Sequence, residues 1–119
     1  MAKNPAFAHL LHEMARLHDK KNHDYAKDSN PYSNFEEAAA VAGCDVDTVF
    51  LTLIGVKLAR LRELTAAGKT PNSESIHDTR MDLTMYCALW TSYRLWQDMS
   101  YDDRQLAYGR DVRDLVPAS

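Results

Sequence analysis

The sequence has little cysteine: only Cys44 and Cys87 occur among its 119 residues. Two isolated cysteines provide neither a C-x-x-C pair nor the ligand spacing of a zinc site, and they cannot build a disulfide framework. We therefore expect a protein of a reducing compartment, the cytoplasm.

Long apolar runs are also missing. No run approaches the roughly 20 residues that a membrane-spanning helix requires. The N-terminus lacks the basic and apolar segments of a secretion signal. We expect a soluble protein with no membrane partner.

The charge balance is nearly even, with 14 basic and 17 acidic residues and a net charge of -3. A weakly acidic chain lacks the electrostatic attraction that nucleic-acid binding needs, although a small anion could still bind locally. The length suits one hydrophobic core. We expect a single domain over residues 1–119, with its core in residues 5–97 and a C-terminal extension over 98–119.

Apolar and polar residues nowhere alternate with the period of two that marks a half-buried strand, so the predicted class is all-α. The apolar periodicity predicts four main helices and a short fifth one before an irregular tail. Their expected ranges are residues 5–25, 33–42, 47–67, 74–97 and 100–108. Asp45 or Asp47 can cap the third helix, Ser73 the fourth and Ser100 the fifth.

Two charges lie at the centre of apolar helix faces. At about 100° per residue, the residues within roughly 40° of Lys57 are apolar: Phe50, Leu53, Leu61 and Leu64. The same count places around Asp82 mainly aromatic and apolar residues: Asp78, Tyr86, Leu89, Tyr93 and Trp96. Because buried charges are costly unless they are paired, Lys57 and Asp82 indicate either a structural ion pair or a ligand site.

Carboxylates recur along the start of the fourth helix. Glu74, Asp78 and Asp82 are spaced at i, i+4 and i+8, so they share one helix face. A hard divalent cation such as Mg²⁺ accepts carboxylate oxygens and completes its shell with water and phosphate. The structural alternative is that Asp82 pairs with Lys57 or Arg60.

Two cations on the third helix suit a phosphate chain. Lys57 and Arg60 are three residues apart, and arginine can bind phosphate in a bidentate manner. An interhelical ion pair is the alternative. At the end of the first helix, Lys21 and Asp24 continue the face of the apolar stripe, and Tyr25 offers a ring or a hydroxyl. A capped helix end is the simpler interpretation of these three residues.

Four segments resemble one known family. They are KKNHDY at 20–25, NF at 34–35, VKLARL at 56–61 and ESIHDTRMDLTMY at 74–86. Together they resemble the first of the nucleotide-modification-associated domains, which occur largely in phages and prophages, over about residues 10–95. That domain is similar to the all-α nucleotide pyrophosphatases of the MazG kind, which hold magnesium on acidic residues and release pyrophosphate from nucleoside triphosphates.

The resemblance implies a MazG-like helical bundle and locates its motifs. Asp82 matches the aspartate of the E-x-x-D motif, although Asp78 precedes it by four residues rather than three. Where the pyrophosphatases carry an E-x-x-E pair on the neighbouring helix, this chain has Lys57 and Arg60, with only Glu63 nearby.

The resemblance also assigns functions, which we state as expectations. The activity would be Mg²⁺-dependent nucleoside triphosphate pyrophosphohydrolysis, in the host cytoplasm if the gene belongs to a phage. Independently of the resemblance, a small helical bundle buries little core per chain, so we expect a homodimer or higher homo-oligomer with the site near an interface. The expected catalytic residues are Asp78, Asp82 and Lys57. The expected metal ligands are Glu74, Asp78 and Asp82. The expected substrate-binding residues are Lys21, Asp24, Tyr25, Lys57 and Arg60.

Two other functions fit the same residues. The protein could bind or sequester a nucleotide, including a signalling nucleotide, without hydrolysing it. Alternatively, the inward charges could serve only to set the register between helices.

Overall fold

The computed structural model describes residues 3–25, 30–66 and 73–108, and within these ranges the chain forms α-helices. There are four main helices and a short fifth one. Their bounds are α1 Pro5–Tyr25, α2 Ser33–Ala42, α3 Val46–Leu64, α4 Ser73–Asp98 and α5 Tyr101–Tyr108. The predicted all-α class is confirmed.

The helix ends follow local side-chain chemistry. Asp45, not Asp47, caps α3: its carboxylate accepts a hydrogen bond from the Thr48 backbone N–H at 2.7 Å. Hydrogen bonding by the Thr48 hydroxyl, and next by this backbone N–H, lowers the pKa of Asp45. Helix α2 ends before Gly43, whose φ of +70° suits glycine. The hydroxyl of Ser100 accepts from the Asp103 N–H at 3.2 Å and caps α5, as predicted.

Helix α3 is shorter than predicted and ends at Leu64. Thr65 follows it with non-helical backbone angles, and its hydroxyl donates to the Leu61 carbonyl at 2.9 Å. The same hydroxyl lies 3.3 Å from the carbonyl of Arg62, which the next helical residue would otherwise have paired. The prediction of a helix to residue 67 was therefore wrong at this end.

The chain divides into two compact units. One contains residues 1–34 and 99–119, and therefore α1 and α5. The other contains residues 35–98, and therefore most of α2 together with α3 and α4. All the interhelical contacts described below lie within the second unit.

None of the helices in the described ranges has both the length and the apolar composition to cross a membrane on its own. The consecutive helices α2 and α3 satisfy those two criteria only when taken together, and the chain bends by 93° between them.

Helices α3 and α4 are antiparallel and pack around an aromatic cluster. Phe50 is completely buried, and Tyr93 is 8% exposed. The Phe50 ring centroid lies 4.5 Å from that of Phe35, 6.3 Å from that of Trp90 and 6.5 Å from that of Tyr93. These separations are typical of packed aromatic pairs and anchor α2 and α4 on α3.

Candidate functional site

The two inward charges meet. The ammonium nitrogen Nζ of Lys57 lies 2.8 Å from Oδ2 of Asp82, joining α3 to α4. The Lys57 side chain is 25% exposed and that of Asp82 is 38% exposed. The pair is thus partly shielded by the helices yet still reachable from solvent, as either a structural pair or a ligand site requires.

The remaining charges of the predicted site lie at the surface beside this pair. Arg60, Glu74 and Asp78 are all exposed. Within the part of the chain that the structure describes, none of these three side chains takes part in an ion pair. We call the set of Lys57, Arg60, Glu74, Asp78 and Asp82 the charged seam.

The carboxylates of the seam chemically suit Mg²⁺, but their spacing limits how many can bind one ion. Glu74 and Asp82 are eight residues apart, or about 12 Å along the helix axis, whereas Mg²⁺ binds oxygen at about 2.1 Å. Adjacent members, Glu74 with Asp78 or Asp78 with Asp82, are four residues apart, or about 6 Å along the helix axis. Among the described residues, no three His, Cys, Asp or Glu side chains gather to form a metal-binding group.

Asp82 is also already engaged, because Lys57 holds one of its oxygens. A metal ion at Asp82 would therefore have to compete with the ammonium group for this carboxylate. Among the three carboxylates of the seam, Asp82 is therefore ion-paired, whereas Glu74 and Asp78 are exposed and form no ion pair with the described residues.

The other predicted substrate-binding residues cannot be placed against the seam. Lys21, Asp24 and Tyr25 end α1, and their side chains lie outside the described residues. Their assignment as substrate-binding residues remains a prediction.

A second polar network between α3 and α4 was not predicted as such. Asp47 lies in the first turn of α3, and its Oδ1 accepts a hydrogen bond from Nε1–H of Trp90 at 2.7 Å. Its Oδ2 forms an ion pair with Arg94, and Arg94 also donates to Oε1 of Gln97 at 3.0 Å. In sequence, Asp47 was recognisable only as a possible helix cap, and this did not reveal its partners on α4.

An open depression of about 390 Å³ adjoins this network and is lined by Asp47, Trp90, Thr91 and Arg94. Asp47 lies ten residues before Lys57, about 15 Å along α3. Because the Asp47 carboxylate binds both the indole N–H of Trp90 and the guanidinium of Arg94, we interpret the network as a structural contact between the helices.

Searches of protein-family models, of curated proteins and of solved structures each found no match to this chain.

Proposed function

We propose that this protein binds the phosphate chain of a nucleotide at the charged seam and acts as a Mg²⁺-dependent nucleoside triphosphate pyrophosphatase. The observation that supports binding is the Lys57–Asp82 pair, a solvent-reachable cation and carboxylate on facing helices. The resemblance of its motifs to the nucleotide-modification-associated domain is the reason for proposing a nucleotide as the ligand and pyrophosphate release as the reaction.

The charges of the seam indicate how such a ligand would bind. The seam contains two cations, Lys57 and Arg60, and three carboxylates, so its formal charge is negative. A polyphosphate alone would be repelled, whereas a polyphosphate that carries a divalent cation brings the missing positive charge. We therefore expect nucleotide binding to require Mg²⁺ or a similar ion.

In the proposed reaction, each protein group has a definite task. Asp78, with Glu74 or Asp82, would hold the ion, which supplies charge neutralisation and an activated water when bound. Arg60 would grip the outer phosphates through its planar guanidinium. Lys57, once released from Asp82, would neutralise the charge that develops on the departing pyrophosphate.

Non-catalytic nucleotide binding is the second candidate, and one observation favours it. Lys57 occupies a carboxylate that a pyrophosphatase would keep for its metal, and α3 presents cations where related enzymes carry an E-x-x-E pair. A site with fewer free carboxylates can still hold a metal–nucleotide complex without activating a water.

Two measurements test the proposal. Nucleoside triphosphates should raise the melting temperature when Mg²⁺ is present and leave it unchanged when EDTA replaces the metal. Pyrophosphate release should accompany binding. Stabilisation without release would exclude the enzyme and leave the binding protein, while no stabilisation by any nucleotide would reject both.

Asp82→Asn provides the site-specific test, with Asp98→Asn as a matched control. Both residues lie on α4, but Asp98 is exposed at its last position, outside the seam. We expect Asp82→Asn to fold and to lose the nucleotide-induced shift, and Asp98→Asn to retain it. Equal responses of the two variants would contradict a nucleotide site at the seam.

A further inference from the structure

Helix α3 directs its charges inward. Between Val46 and Ala59 its only charged residues are Asp47 and Lys57. Asp47 bonds to Trp90 and Arg94, and Lys57 pairs with Asp82, so both contact α4. A surface helix of a soluble protein ordinarily directs its charges to solvent and its apolar residues to the core.

The opposite side of this stretch is exposed and carries no charge. Leu51 is 60% exposed, Val56 59% and Leu58 50%. We define the outer face of α3 as the exposed residues of this stretch: Thr48, Leu51, Thr52, Gly55, Val56, Leu58 and Ala59. A continuous uncharged surface over three helical turns is typical of an interaction site.

Gly55 adds independent support, because packing among the described residues does not require a glycine there. A Cβ atom built at this position would have no neighbour within 4 Å in the part of the chain that the structure describes. Glycine inside a helix is unfavourable relative to alanine, and an isolated one usually has a packing reason. The close approach of another backbone to the outer face would be such a reason.

We propose that the outer face of α3 packs against the same face of a second copy of this chain, as an antiparallel helix pair centred near Gly55. The pattern is almost symmetric about its centre, since Leu51 precedes Gly55 by four residues and Leu58 follows it by three. A two-fold axis there sets Leu51 of one copy beside Leu58 of the other, as an isologous interface demands.

The charges at the two ends of α3 favour this orientation. Asp45 is exposed at the N-terminal end. Near the C-terminal end, two exposed arginines, Arg60 and Arg62, outnumber the exposed Glu63, so this end is net positive. An antiparallel pair brings Asp45 of one copy toward Arg62 of the other, whereas a parallel pair places like charges together. The uncharged centre suits an identical uncharged face and offers nothing to a nucleic acid or a charged peptide.

The test compares two leucines of similar exposure. Leu58→Glu changes the outer face of α3, and Leu95→Glu changes an exposed residue on α4 that is 62% exposed and lies outside that face. Sedimentation velocity over a dilution series should show the wild type and Leu95→Glu as dimers. Leu58→Glu should be monomeric or should raise the dimer dissociation constant about tenfold or more.

Gly55→Leu gives a second variant that the chain itself should accommodate, since the position borders open space. It should retain the far-ultraviolet circular dichroism of a folded helical protein and lose the dimer. A monomeric wild type at every concentration, or a Leu58→Glu dimer of unchanged affinity, would overturn the proposal. Flotation of a monomeric wild type with phosphatidylcholine–phosphatidylglycerol vesicles would assign the face to lipid instead.

This interface does not depend on the proposed function. Sedimentation measures it without nucleotide, so a protein that dimerises but binds no nucleotide would support the interface and reject the nucleotide site.

Discussion

Lys57 and Asp82 pair across the antiparallel helices α3 and α4, with Nζ 2.8 Å from Oδ2. About 15 Å along α3, by the rise of the helix, Asp47 joins Trp90 and Arg94 of α4. Two polar contacts about three helical turns apart thus join α3 to α4. Phe50, which is fully buried, lies between them along α3.

We expect the Lys57–Asp82 pair to contribute modestly to stability, because both side chains are partly solvated. Lys57→Met keeps the apolar stem of the side chain, and Asp82→Asn keeps its shape. Each should lower the free energy of unfolding by about 1 kcal/mol, with a coupling of about 0.5 kcal/mol in a double-mutant cycle. Urea denaturation of the wild type, the two single variants and the double variant measures both quantities. Strictly additive effects would show that the pair has no interaction free energy.

We expect Phe50 to be the most sensitive core position of the second unit. Its side chain is fully buried against Phe35, Trp90 and Tyr93. Phe50→Ala removes this apolar contact and leaves a cavity, which should cost about 3–5 kcal/mol. Leu95→Ala, at an exposed site, should change the free energy of unfolding by less than about 0.5 kcal/mol. Similar midpoints of chemical denaturation for the two variants would contradict this assignment of the core.

We expect Asp47 to stabilise the α3–α4 contact through its two acceptor oxygens. Asp47→Ala would deprive the Trp90 indole N–H and the Arg94 guanidinium of their partner, at a cost of about 1–2 kcal/mol. Asp47→Asn keeps one acceptor and should cost less. The fluorescence of Trp90, recorded in a Trp96→Phe background, should change in Asp47→Ala. Unchanged emission and an unchanged denaturation midpoint would show that the network has no structural role.

We expect His18 to make α1 sensitive to acid. Burial lowers the pKa of His18 below its usual 6.5, and the charge of Asp19 only partly opposes this effect. The unfolded chain therefore takes up the proton first as the pH falls. The stabilising contribution of neutral His18 is complete above about pH 6.5. It is lost progressively as the pH falls toward and through the lowered pKa of His18 in the folded protein.

Replacing the imidazole should remove this dependence. His18→Gln should flatten the decrease in melting temperature between about pH 7 and pH 5, while His9→Gln, at an exposed position on the same helix, should leave it unchanged. A wild-type slope in His18→Gln would contradict the assignment.

Much of the architecture was predictable because it depends on neighbouring residues along the chain. The periodic apolar positions predicted each helix, and short-range hydrogen bonds explain the caps at Asp45 and Ser100. The positions of Lys57 and Asp82 on inward faces also followed from periodicity, because a helix places every residue at a known angle.

Which inward charges pair with one another could not be predicted in this way. From the sequence, either Lys57 or Arg60 could be the partner of Asp82. The sequence did not predict any partner for Asp47 on α4. The choice depends on the register between α3 and α4, which the packing of Phe50 against Trp90 and Tyr93 sets. Contacts between residues far apart in the chain form only once the two helices have packed. The same packing determines that the uncharged outer face of α3 remains exposed.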